Sequence, residues 1–308
     1  MHMADALISP AVGSIMLAAS AGTIGYSASR LKNGLDEKKI PLMGVMGAFV
    51  FSAQMINFTI PATGSSGHIG GGILLAALLG PYAGFLVITS VLIIQALFFA
   101  DGGLLALGCN IFNLGFLTCF VAYPLIYKPI LSKGPNTRRL TIGTILAVVI
   151  GLQLGSFAVV VETMASGRTE LSFLTFLALM QPIHLAIGLI EGIVVAGILC
   201  FIAKNSPENM EGFTFDGRSK PRRFKRMTVM ILVLALVIGG GLSLLASANP
   251  DGLEWSINQA QNDEVVTKPQ ERLETSISGM SGSLMTLGLA GLIGYAITRY
   301  KRKKRCRN

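Results

Sequence analysis

Ile69-Gly70-Gly71-Gly72-Ile73-Leu74-Leu75-Ala76-Ala77-Leu78-Leu79-Gly80-Pro81-Tyr82-Ala83-Gly84-Phe85-Leu86-Val87-Ile88 begins a stretch that reaches Ala100 without a charged residue. About 20 apolar residues cross a bilayer core of roughly 30 Å, so the stretch is more than one crossing needs. It is either one long helix or two crossings broken at Gly80-Pro81, where proline cannot continue the hydrogen-bond ladder. The flanks decide. The following apolar run, Gly103 to Tyr127, ends in Lys128, Lys133 and Arg138-Arg139. Basic loops lie on the cytoplasmic side, which puts Asp101 outside. His68 falls outside as well if the preceding run, Ile40 to Ile60, starts inside. Two crossings, the first of them short, are therefore expected between His68 and Asp101.

The same pattern covers the rest of the chain. Hydrophobic residues make up 52% and charged residues only 13%, and the mean hydropathy is +0.63. That composition is far from a soluble domain and predicts an all-α polytopic membrane protein, because lipid leaves an open backbone unsatisfied. Thirty-six glycines suit close helix packing. A net charge of +9 invites a nucleic-acid reading, but 22 of the 25 basic residues sit in four segments, 30–39, 128–139, 204–226 and 299–307. Each closes an apolar run, so the basicity orients the protein in its membrane and no nucleic acid is expected. Spans at about 7–29, 40–60, two within 69–100, 103–127, 140–163, 173–203, 227–248 and 279–300 give nine crossings, with the N-terminus outside and the C-terminus cytoplasmic. The chain divides into a seven-helix unit (1–203), a basic cytoplasmic linker (204–226) and a two-helix hairpin (227–308). Between the two helices of that hairpin runs an acidic extracytoplasmic loop, 249–278. Cys109, Cys119, Cys200 and Cys306 show neither paired nor metal-type spacing, and no structural disulfide is expected.

The chemistry concentrates at Met1-His2-Met3-Ala4-Asp5-Ala6-Leu7-Ile8-Ser9-Pro10. No basic leader precedes the apolar run and no cleavage site follows it, so no removable signal peptide is expected, and the bulky His2 blocks methionine aminopeptidase, so Met1 is expected to stay. A free α-amine followed by the His2 amide and imidazole is a planar three-nitrogen chelate for a metal able to displace the amide proton. Ni(II) and Cu(II), and Co(II) less readily, favour such coordination. The alternative is a histidine in second position by accident. His68, one of only three histidines, falls on the same side, and either of its ring nitrogens would supply a fourth donor. It equally suits a helix cap at the interface. Asp5, three residues from His2, is a candidate to fix the imidazole tautomer. Gln54, Asn57, Asn110 and Asn113 are candidate supports, although buried amides in membranes mostly hold helices together. His184 and Glu191, two turns apart in an apolar run, suggest a structural or coupling role, with a permeation step as the other possibility. A phosphate loop of the form G-x-x-x-x-G-K-[ST] and an H-E-x-x-H motif are both missing from the sequence, so an enzyme is not expected.

Three motifs carry a resemblance. M-H-M-A-D-A-L-I-S-P, G-S-S-G-H-I-G-G-G and P-I-H-L-A-I-G-L-I-E-G are similar to the substrate-specific component of cobalt and nickel energy-coupling-factor transporters, the CbiM/NikM family, over residues 1 to about 203. The hairpin, with Pro250-Asp251-Gly252-Leu253-Glu254-Trp255-Ser256, resembles the small companion subunit CbiN or NikN, here fused to the C-terminus. The resemblance implies a multi-pass protein of a bacterial or archaeal cell membrane that captures Ni(II) or Co(II) as its transported cargo. It implies separate ATPase subunits and a transmembrane coupling subunit. It also implies a ligand set of the Met1 amine, both His2 nitrogens and His68. The planar set and the fusion favour nickel over cobalt. A membrane-embedded enzyme and a metal sensor are the readings from other classes.

Overall fold

The computed structural model describes residues 2–34, 36–37, 39–134, 136–205, 210, 221–261 and 272–305. Ten helices carry the fold: α1 (Pro10–Gly34), α2 (Lys39–Gln54), α3 (Gly72–Leu79), α4 (Pro81–Phe98), α5 (Leu107–Ser132), α6 (Thr137–Ser166), α7 (Phe173–Asn205), α8 (Pro221–Gly240), α9 (Gly252–Gln261) and α10 (Arg272–Arg305). A short antiparallel pair, β1 (Phe58–Ile60) and β2 (Ser65–Gly67), joins α2 to the His68 segment, with Thr59 opposite Ser66.

The starts and stops follow local chemistry. Pro10 opens α1, where its missing amide costs nothing. Asn136 caps α6, its side-chain oxygen accepting from the Arg139 amide at 2.8 Å. The break at Gly80-Pro81 falls where the sequence places it: Gly80 has φ 86°, open to glycine, and Pro81 starts α4. The central part of α5, Ile111–Tyr127, is wound as a π-helix around Pro124, an uncommon form at this length.

α2, α3 and α4 form the middle of the bundle. Every residue of α3 is buried, as is α2 from Leu42 to Gln54. α6 and α7 pack along each other, α6 against α5, and α1 against α4 and α5, while α8 and α10 cover the other side of α2. The outward faces are apolar: Ile15, Leu146, Phe157, Leu189, Ile193, Val233 and Leu292 are all exposed. Such faces suit lipid, which asks only that backbone groups be paired within the protein.

Six of these helices, α1, α4, α5, α6, α7 and α10, are long and apolar enough to cross a membrane. The other three expected crossings are helical but shorter or more polar. α2 has 16 residues and α8 begins with Arg222, Arg223, Lys225 and Arg226. α3 has 8 residues, which rise about 12 Å, well under a bilayer core. Counting apolar residues does not separate a buried half-helix from a crossing. Most of the 204–226 linker and residues 262–271 of the acidic loop lie outside the described residues.

Candidate metal site

The segment before α1 is tied down at two points. Asn110 takes the Met3 amide on its Oδ1 at 2.8 Å and returns its Nδ2 to the Met3 carbonyl at 3.2 Å. The Gly103 amide also donates to that carbonyl, at 2.9 Å. Two residues on, Asp5 Oδ1 accepts the amides of Leu105 and Ala106 at 2.7 and 3.0 Å. Met3 and Ile8 sink into an apolar cluster with Cys109, Val159, Phe176, Met180 and Leu253. Held this way, the chain turns the His2 side chain inward to 7% exposure.

His68 arrives from the other side. It follows β2 and enters α3 through Ile69, Gly70 and Gly71. The backbone there is fixed by side chains from three helices. Gln54 donates to the Gly70 carbonyl at 2.8 Å, Gln95 donates to Gln54 Oε1 at 2.7 Å, and the Gly71 amide donates to Glu191 Oε1 at 3.0 Å. The two imidazoles then stack, with centroids 5.0 Å apart and planes 19° apart. The Nε2 atoms of both rings are buried without a hydrogen-bond partner. Burial holds each imidazole well below the ordinary histidine value, at about 3, so both are neutral and carry a lone pair. Asp101 Oδ1 lies 3.4 Å from His2 Nδ1, and burial raises its carboxyl above the usual range.

The structure brings some of the sequence candidates together and parts others. His2, His68, Gln54 and Asn110 come together at this end of the bundle. Asp5 does not meet His2: its carboxylate holds the Leu105 and Ala106 amides just ahead of α5, and Asp101 is the acid beside the imidazole. Asn57 is half-buried and contributes its backbone carbonyl to the Ser247 amide at 2.7 Å. Asn113 donates to Glu162 Oε2 at 2.7 Å, joining α5 to α6. His184 and Glu191 are buried on α7, and Glu191 reaches the Gly70–Gly71 backbone. Met1 lies outside the described residues.

Sequence reading passed over Gln95, Asp101 and Asp251 as site residues. Gln95 was visible as a lone amide in an apolar run, and Asp101 as the charge that ends it. Asp251 belongs to the P-D-G-L-E-W segment, which docks on the His68 hairpin. The Ser66 amide donates to the Pro250 carbonyl at 2.8 Å, and Trp255 Nε1 donates to the Thr63 carbonyl at 2.8 Å. Asp251 Oδ1 caps α9 by accepting from Leu253 and Glu254, both at 2.9 Å. Among the described residues no three His, Cys, Asp or Glu side chains are gathered as metal ligands. Two neutral, neighbouring imidazoles with free nitrogens suit a borderline cation that takes its other donors from main-chain nitrogen.

Comparison with known proteins places this geometry. Residues 2–209 match the family model CbiM, described as cobalt uptake substrate-specific transmembrane region, and residues 225–274 match the PDGLE domain. The chain is 31% identical over 98% of its length to a protein of Archaeoglobus fulgidus, 99% of which is covered, named NikMN, a fused nickel transport protein. It is 26% identical over 96% of its length to the cobalt transport protein CbiM of Geobacter sulfurreducens, covering 86% of that protein. The crystal structure of a truncated transition metal transporter superposes with a TM-score of 0.59 at 29% identity, over 66% of this chain and 99% of that one.

Proposed function

The chain belongs to the CbiM family of cobalt-uptake substrate-specific transmembrane regions, and from that premise we propose that it captures Ni(II) for import, with Co(II) as the second cation. The observation that carries this reading is the buried, stacked and neutral His2–His68 pair, with His68 Nε2 unpartnered and His2 placed to chelate through Nδ1. The cargo would be held by the Met1 amine, the His2 amide and ring, and His68. A planar nitrogen set favours nickel; the hairpin does not separate the two cations, because the match to the cobalt relative runs over 96% of this chain.

The remaining assignments follow the family. Residues 1–203 form the metal-binding unit, 204–226 a cytoplasmic basic linker and 227–308 the companion hairpin. The four basic segments set the N-terminus and the His2–His68 pair outside and the C-terminus in the cytoplasm. ATP hydrolysis belongs to separate ATPase subunits, joined through a transmembrane coupling subunit. The test is calorimetric titration of the purified chain, native at its N-terminus, with Ni(II) and with Co(II). His68→Ala should weaken nickel binding by about tenfold or more, equivalent to ~1.4 kcal/mol. Unchanged affinity would remove His68 from the ligand set, and tighter binding of Co(II) would make cobalt the cargo.

A further inference from the structure

A third imidazole stands next to the proposed ligands and has no part in them. His184 is 1% exposed, and its Nδ1 lies 2.8 Å from the Met180 carbonyl oxygen. A carbonyl only accepts, so Nδ1 carries the proton and Nε2 presents a bare lone pair. That Nε2 has no hydrogen-bond partner, and neither has the Nε2 of His68. Both rings line one small cavity of about 10 Å³, which Gly67, Gly70, Asp251 and Gly252 help to enclose. The volume suits a single water-sized occupant. Gly252 closes it tightly: a Cβ there would meet His184 Cε1 at 3.0 Å and Nε2 at 3.1 Å, inside van der Waals contact. Any larger residue of the PDGLE segment would fill the space.

Two acceptor nitrogens and a carboxylate around one small space attract either a water or a cation. The position favours the cation, because His68 is shared between this cavity and the outer ligand set. Resting on the metal-capture reading, we propose that His184 Nε2 and His68 Nε2 form a second, inner station for a divalent first-row cation, with Asp251 as the neighbouring negative charge. The metal keeps His68 and exchanges the Met1 amine and the His2 amide and ring nitrogens for His184 Nε2 and water. The His2 amide recovers its proton from solvent as it leaves. With only two protein nitrogens, this station is weaker than the outer one, as a cargo in transit requires.

The experiment uses the full chain in detergent and Cu(II) as the probe, read by electron paramagnetic resonance. His2→Ala removes the outer chelate, leaving His68 and His184 as the only histidines. The expected spectrum retains hyperfine structure from imidazole nitrogens, and adding His184→Gln lowers the affinity by about tenfold or more. Single His184→Gln and His184→Ala chains should keep nickel affinity at the outer site within about threefold, which verifies their folding. The inner station is overturned if His2→Ala shows no imidazole-bound copper, or if its copper is indifferent to His184→Gln. A native chain that binds neither nickel nor copper would overturn the metal-capture reading instead.

Discussion

At the residue scale the informative exchange is between two aspartates. Asp5 is nearer to His2 in sequence, yet its Oδ1 is occupied by the Leu105 and Ala106 amides, whereas Asp101 Oδ1 stands 3.4 Å from the imidazole. Asp101→Asn should therefore weaken nickel binding by about tenfold, equivalent to ~1.4 kcal/mol, because it removes a negative charge from beside the His2 nitrogen that would hold the cation. Asp5→Ala should leave the affinity nearly unchanged and cost about 1 kcal/mol of local stability, as for a lost cap. Parallel titrations of the two variants check this; equal losses would contradict it. Burial sets a second expectation. His2 and His68 sit at about 3 against an ordinary 6.5. Between those values the unfolded chain binds more protons than the folded one, so the imidazoles' contribution is full above 6.5 and is lost as pH falls toward 3. Protons should not compete with nickel at either ring between about pH 5 and 7, where the amine and amide alone govern the slope. Histidine-selective NMR across that range should show both rings neutral. The histidines were legible in sequence because there are only three. Asp101 and Gln95 were not, because their partners come from elements far away in the chain.

At the element scale the site depends on a clamp. Asn110 makes both a donor and an acceptor bond to the Met3 backbone. Asn110→Leu keeps the bulk and strands the buried Met3 amide, at about 1–3 kcal/mol, while the Met3 carbonyl keeps the Gly103 amide. The segment 2–9 should then exchange amide hydrogens faster, and nickel affinity should fall, while the helices remain intact. Hydrogen exchange with and without Ni(II) measures both effects. One residue added before Met1 should weaken binding through a different route, by moving the amine off the chelate while the clamp persists. The break at Gly80-Pro81 was readable because proline and a positive-φ glycine leave few alternatives. A short first segment was expected, but the eight-residue extent of α3 and the π-winding of α5 were not readable. Both depend on how neighbouring helices satisfy the backbone, which apolar periodicity does not encode.

At the scale of the whole molecule, the second unit is part of the first unit's architecture. α8 and α10 cover α2, and the Pro250–Trp255 segment pairs with β2 and Thr63. Deleting residues 249–308 should still leave a folded bundle, since the solved transporter that matches 66% of this chain is itself covered over 99% of its length. Nickel should still bind, within about tenfold, but uptake by the reconstituted transporter should be lost. Abolished binding in a folded truncation would mean that the hairpin supplies ligands. The pairing of Ser66 with Pro250 also has a consequence in time. The strand that leads into His68 is made early, and the residues that occupy its edge are made some 180 positions later. During synthesis that edge stands open while most of the membrane helices are already being inserted. The small cavity beside His68 is thus closed only after the Pro250–Gly252 segment has left the ribosome. A fused chain delivers that segment at a high local concentration and once per pocket, whereas two separate polypeptides would have to find each other in the plane of the membrane.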